Sequence, residues 1–330
     1  MKKDKAKRIA EAKAKANNML DLFPLPGTGG AIIPIDFFDY DIIIVNSSGG
    51  KDSSVALWEI DRLAKQQGYP KDRIFVSHQD LGVEEWDGTK ELAKAQADMF
   101  GYEFIVSTVR KEGKKGPEGY DTICNRTLDK HYKNVADVKS GKKDKLAPPW
   151  PDPNNRWCTS DFKRTPGGRV ITALTKDIDR PKVLYVFGFR GQESDARDLI
   201  PILAKNKDHS SKNLKDPEKK LVYNFLPVHD WLEDRVWEVI KENNIPYHEA
   251  YDLGMPRLSC CFCIYASRDA LVIAGKANPE KLQKYVDVEK ETGFVFKIDG
   301  TSLEEVQQAI ADGYDPTPEK GKALEWDKRM

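Results

Sequence analysis

Short apolar runs alternate along this chain with longer amphipathic stretches. The run Ile42-Ile43-Ile44-Val45 sits inside Asp41 to Ser47. It is too short for a buried helix and is bounded by turn formers, so it predicts a buried strand. Ser53 to Lys65 then predicts a helix. Arg73 to His78 predicts a second strand, and Thr89 to Phe100 a helix with Leu92, Ala95, Ala97 and Met99 as its apolar positions. Glu103 to Val109 predicts a third strand, Arg169 to Asp177 a helix, Val183 to Phe189 a strand and Val222 to Leu226 a short one. A helix is expected to open at Pro227 and run through Val236, Trp237 and Ile240. Strand and helix alternating in this way indicate an α/β fold, an open, mostly parallel doubly wound sheet. Beyond 266 the pattern turns helical, around Ala270-Leu271-Val272, Leu282 to Val288 and Leu303-Val306-Ile310. Ser302 with Glu305 reads as a capping box for the last of these.

Three stretches interrupt the rhythm. Residues 1–18 alternate Lys, Arg and Glu with Ala, a helix-forming composition with little apolar face. Residues 24–34 carry Pro24, Pro26, Gly27, Gly29, Gly30 and Pro34 and read as a linker. Residues 110–156 hold Lys111, Lys114, Lys115, Lys139, Lys142, Lys143 and Lys145, then Pro148-Pro149-Trp150-Pro151, and read as an insertion or a mobile lid. The expected organisation is a basic helix and linker over 1–35, an α/β domain over 36–265 with its insertion at 110–156, and a helical extension over 266–330.

Composition narrows the classes. The 330 residues contain 53 Lys plus Arg and 53 Asp plus Glu, so there is no global basic signature of a nucleic-acid binder. No apolar run approaches the ~20 residues needed to span a bilayer. The lysine-rich start is not a secretory signal. Five cysteines, three of them within 260–263, do not resemble a disulfide framework. A cytoplasmic protein without membrane contact is expected.

The chemistry concentrates in Ser47-Ser48-Gly49-Gly50-Lys51-Asp52-Ser53. Glycines let the backbone close around a ligand, and the free N–H groups of a helix start face an anion. Ser48, Ser53 and Lys51 add donors and a positive charge. This predicts a phosphate cradle, although the G-x-x-x-x-G-K-[ST] spacing of the common P-loop is absent. An ordinary Gly- and Ser-rich βα turn is the structural alternative. Asp80 and Glu84 follow the second strand, on the carboxyl edge where ligands sit in such sheets. They are candidates for Mg2+ or substrate, or else helix-capping acids. Arg190 follows another strand and would give a planar, permanent positive charge for phosphate or sulfate. Cys260 and Cys263 have the C-x-x-C spacing that lets two thiolates reach one metal centre.

Ser48 to Ser53 resembles the SGGKDS loop of the PP-loop ATP pyrophosphatases, and later segments resemble their phosphoadenosine phosphosulfate (PAPS) reductase branch. Gln79-Asp80-Leu81-Gly82-Val83-Glu84 is similar to its Asp-x-Gly-x-Glu segment, with Leu81 in place of the usual Thr. Arg156-Trp157-Cys158-Thr159 with Lys163, Gly188 to Ser194, Pro227 to Trp237, and Tyr251 to Cys263 are similar to further family segments. Ser259 replaces a usual Gly, and Cys261 is an extra cysteine. The resemblance covers roughly residues 40–265. It implies an adenine nucleotide alpha hydrolase-like fold and an enzyme that binds ATP, or PAPS or adenosine phosphosulfate (APS), with Mg2+. It implies that Ser48, Gly49, Gly50, Lys51, Asp52, Ser53, Asp80, Glu84 and Arg190 hold the nucleotide, with Lys51, Asp52 and Arg190 acting in catalysis. It brings Cys158 to Cys260 and Cys263 as a metal centre. A 4Fe–4S iron–sulfur cluster, a structural Zn2+ that also takes Cys261, and unligated thiols stay open.

Three functions follow. One is an ATP pyrophosphatase that adenylates an acceptor for sulfur transfer, of the kind seen in nucleic-acid thiolation and DNA phosphorothioation, with a nucleic-acid acceptor and a sulfur-donor protein such as a cysteine desulfurase. The second is a sulfonucleotide reductase. Those reductases use a cysteine near the C-terminus, and no cysteine follows Cys263 here. The third is a catalytically inactive nucleotide-binding regulator, against which the intact Lys51, Asp52 and Ser53 argue.

Overall fold

The computed structural model describes residues 23–24, 31–32, 35–110 and 121–317. The basic helix expected over 1–18 lies outside the described residues. Phe23–Pro24 and Ala31–Ile32 form a small antiparallel ladder.

Six strands make the main sheet: β1 (Ile42–Asn46), β2 (Ile74–Asp80), β3 (Glu103–Thr108), β4 (Lys182–Val186), β5 (Leu203–Lys205) and β6 (Leu221–Phe225). Their spatial order is β3-β2-β1-β4-β6-β5. β1 pairs in parallel with β2 on one side and with β4 on the other, and β4 pairs in parallel with β6. The short β5 runs antiparallel to β6 at the edge. The central strands are buried on both faces, as their continuous apolar runs require. One face carries Ile42, Ile44, Val183, Tyr185 and Val222 against Ile171 of a helix.

The helices are α1 (Lys51–Gln67), α2 (Thr89–Phe100), α3 (Ile123–Lys139), α4 (Thr165–Leu174), α5 (Glu233–Glu242), α6 (Arg268–Ala277), α7 (Pro279–Thr292) and α8 (Leu303–Ala311). α3 gives the insertion a regular element that its lysine runs did not announce. α5 starts at Glu233 rather than at Pro227, because residues 227–231 form a turn. No helix among the described residues is long and apolar enough to cross a membrane.

The chain divides into two compact units interleaved in sequence. The first takes residues up to His78, Glu91–Ile105 and Gly168–Tyr247; the second takes Gln79–Lys90, Val106–Gly167 and His248 onward. The first holds the core of the sheet. In the second, the ring of Trp150 stacks on Tyr285 at 5.7 Å and its Nε1–H donates to the Phe294 carbonyl. The insertion and the helical extension are thereby joined in one core. Ser302 caps α8 as expected, accepting from the Glu304 N–H. The acid that joins it is Glu289 of α7, whose carboxylate takes the Leu303 and Glu304 N–H groups at 2.9 and 3.0 Å.

Candidate functional site

Strand order reverses between β1 and β4, the switch point at whose carboxyl ends ligands bind in such sheets. The loop after β1 is residues 47–50. Gly49 has φ of 73°, a conformation that disfavours residues with a side chain. Ser53 Oγ accepts from the Ser48 N–H at 3.2 Å and donates to the Gly50 carbonyl at 2.9 Å, closing the loop onto the first turn of α1. Gln96 of α2 adds an amide N–H to the Gly49 carbonyl at 3.3 Å. Gly50, which has no side chain to cap it, opens α1 in extended conformation.

The turn after β4 presses on this loop. A Cβ built on Gly188 would lie 2.4 Å from the Asp52 carbonyl oxygen and 2.7 Å from the Ser53 nitrogen. Arg190, only 3% exposed, donates from Nε to Asp52 Oδ1 at 2.5 Å and from its terminal nitrogen to Gln192 Oε1 at 2.7 Å. Lys51, 2% exposed, places Nζ 3.3 Å from Glu233 Oε1 and 3.6 Å from Asp52 Oδ2. Behind Arg190, the His229 carbonyl accepts the Gly191 N–H at 2.8 Å. The Asp230 carboxylate, 2.8 Å from His229 Nδ1, raises that imidazole above the ordinary histidine range. The first unit therefore gathers Ser48, Gly49, Gly50, Lys51, Asp52, Ser53 and Arg190 at the switch point. Sequence reasoning missed Glu233 and Gln192. Glu233 directly precedes the Asp234 of the recognised element, but no spacing rule ties it to Lys51.

In the second unit, Asp80 Oδ1 accepts the Gly82 N–H at 2.7 Å and Oδ2 pairs with Lys90 at 3.3 Å. Glu84 is 2% exposed. One carboxylate oxygen accepts the Ile123 N–H at 2.7 Å at the start of α3, and the other accepts the Tyr285 hydroxyl of α7. Burial pushes this carboxyl up, against the hydrogen bonds that favour its charge. The Glu84 carbonyl also accepts the Cys261 N–H at 2.9 Å. Glu84 thus braces the cysteine turn, and its oxygens are engaged within its own unit.

All five cysteines are free. Cys158, Cys260 and Cys263 are half-buried, while Cys261 is 1% exposed. The chain from Trp157–Thr159 passes into a π turn at Ser160–Arg164. Lys163 lies in this π turn. Its ammonium is raised by the charge of Cys260 first, then by Cys263, Glu85 and Cys158. Its side chain is exposed to solvent. Burial pushes the Cys158 and Cys260 thiols up. Cys261 faces elsewhere: its sulfur lies 3.9 Å from Lys281 Nζ, and burial pushes its thiol up to about 12. Cys260, Cys263 and Cys158 thus all bear on the charge of Lys163, whereas Cys261 lies beside Lys281. Lys163 was recognised in the sequence as part of the segment with Trp157 and Cys158, but nothing there tied it to Cys260 and Cys263.

An uncharacterized protein of Methanocaldococcus jannaschii is 28% identical over 145 residues, covering 44% of this chain and 31% of its own. An adenosine 5′-phosphosulfate reductase of Oceanobacillus iheyensis is 34% identical over 79 residues, covering 24% of this chain and 28% of its own. The chain thus spans about a third of the length of these curated relatives. Among solved structures, a PAPS reductase from Candida auris superposes with a TM-score of 0.40 at 15% identity, covering 68% of this chain and 83% of that one. A U34-tRNA thiolase from Methanococcus maripaludis, with its 4Fe–4S cluster, does so at 0.32 and 16%, covering 87% and 79%. The family model described as the phosphoadenosine phosphosulfate reductase domain matches residues 42–266, and the chain belongs to that family.

Proposed function

We propose that this chain is an ATP pyrophosphatase that activates an acceptor for sulfur transfer. What supports the reading is the C-x-x-C turn, in which Cys261 lies 3.9 Å from Lys281, in a chain that also holds a phosphate cradle; Cys260, Cys263 and Cys158 all bear on the charge of Lys163. Lys51, Arg190 and the first-turn amides of α1 would neutralise the triphosphate. An acceptor oxygen would attack the α-phosphorus, the bond to the β-phosphate oxygen would break, and pyrophosphate would leave. A sulfur nucleophile would then form a bond to the activated acceptor atom, and AMP would depart with the original oxygen.

The donor set fits an iron–sulfur cluster better than structural zinc. Structural zinc takes four protein ligands, and Cys261 is turned to Lys281 rather than toward the other three. A cluster on Cys158, Cys260 and Cys263 would leave one iron open to hold sulfide. Lys163 would hold the charge of the sulfur species beside it. A nucleic acid is the proposed acceptor, and a cysteine desulfurase the proposed sulfur donor. Mg2+ would accompany the nucleotide.

A sulfonucleotide reductase is the second reading, favoured by the adenosine 5′-phosphosulfate reductases among the relatives. One pair of assays separates the two: pyrophosphate and AMP release from ATP with candidate acceptors, and sulfite release from APS or PAPS with a thiol. Pyrophosphate release reduced about 100-fold or more by Lys51→Ala is expected. Sulfite release without pyrophosphate would select the reductase, and binding without turnover in either assay would leave a regulator.

A further inference from the structure

The cations of the cradle already have carboxylate partners. Asp52 is part of the loop and is held by Arg190 at 2.5 Å. Glu233 is different. It arrives from the far side of the sheet sequence, as the first residue of α5, and its carboxylate sits 3.3 Å from Lys51 Nζ. Lys51 is buried, whereas the Glu233 side chain is 30% exposed and has room to turn outward. Its backbone N–H donates to Gln192 Oε1 at 2.8 Å, the same oxygen that accepts from Arg190 at 2.7 Å. The start of α5 is thereby tied to both positive side chains of the cradle, one through a side chain and one through the backbone.

We infer that Glu233 is a built-in competitor for the polyphosphate. Its carboxylate occupies Lys51 before a nucleotide binds and gives way when phosphate oxygens arrive. Removing a charge from a nearly buried ammonium leaves that ammonium with a strong demand for an anion. A ligand that reaches Lys51 must therefore displace a carboxylate, which favours a densely charged di- or triphosphate chain over a weaker anion. The same carboxylate returns to Lys51 as the pyrophosphate leaves, so it speeds release. Glu233 is a positioning and specificity residue; it acts through Lys51 and forms no bond to the reacting phosphorus. This inference rests on the nucleotide-binding reading.

The test titrates ATP, inorganic pyrophosphate and adenosine into the full chain and into Glu233→Gln and Glu233→Asp. Glu233→Gln is expected to bind ATP and pyrophosphate roughly fivefold tighter, the factor set by about 1 kcal/mol of lost competition. Adenosine, which has no phosphate, is expected to bind unchanged. Glu233→Asp keeps the charge and is expected to stay within about twofold of the wild type. In turnover, Glu233→Gln is expected to lower KM for ATP and kcat together, because product is held longer. A purely structural role predicts the opposite, weaker binding in Glu233→Gln. Wild-type binding with unchanged or weaker binding in Glu233→Gln overturns this inference alone. Absence of ATP and pyrophosphate binding in the wild type overturns the nucleotide reading and this inference with it.

Discussion

Position 188 has room for a hydrogen and little else. A methyl group there would meet the Asp52 carbonyl at 2.4 Å and its carbonyl carbon at 2.5 Å, both backbone atoms that no rotamer change can move aside. Gly188→Ala is therefore expected to push the β4 turn off the first turn of α1. Overpacking of this kind costs about 1–3 kcal/mol, and a thermal melt would register it. The local effect is expected to be larger than the global one, because Asp52, Lys51 and Arg190 all take their positions from that contact. ATP affinity, measured by calorimetry on the folded variant, should fall well below the wild type, and an unchanged affinity would detach the β4 turn from the cradle. The glycine was visible in the sequence as part of a recognised segment. Its reason was not, since residues 52 and 188 touch only after β1 and β4 pair.

Elements whose cores follow a simple period were legible. The three terminal helices appear where the apolar positions around Leu271, Leu282 and Leu303 were read, and all three leucines are buried. The central strands appear where apolar residues run together. β5 was illegible because an edge strand of three residues has no period to read. α3 was obscured by its charges, since only Ile123, Thr127 and His131 are buried along it. The cap on α8 shows how tertiary structure rewrites a local rule: Glu289 serves where Glu305 was expected. Its carboxylate accepts from Phe296, Ser302, Leu303 and Glu304, at 2.5 to 3.0 Å, and it is 7% exposed. Glu289→Ala strips several buried donors at once and is expected to cost about 2–3 kcal/mol. Hydrogen exchange should show α8 opening first, while Glu305→Ala should change little. Equal losses from the two substitutions would restore the local capping box.

At the scale of the whole chain, the two candidate centres belong to different units, and each is assembled from distant segments. The cradle draws on residues 48–53, 188–192 and 233, all in the first unit. The thiol cluster draws on 158–163 and 260–263, in the second. The C-x-x-C spacing was legible, but membership of the cluster was not. Adjacent residues on an irregular turn face different ways, and only the folded chain separates Cys260 and Cys263 from Cys261. That separation makes a sharp prediction for anaerobically purified protein. Iron and acid-labile sulfide are expected at about four each per chain, the stoichiometry of one 4Fe–4S cluster. Cys158→Ser, Cys260→Ser and Cys263→Ser should each lose most of that iron. Cys261→Ser should keep it, even though a polar group at a site 1% exposed lowers the melting temperature. Iron loss in Cys261→Ser equal to that in the other three would make it a fourth ligand and close the open iron that sulfur transfer needs. About one zinc per chain in place of iron would turn the cluster into a staple, and the chemistry would then rest on Lys51, Asp52 and Arg190 alone.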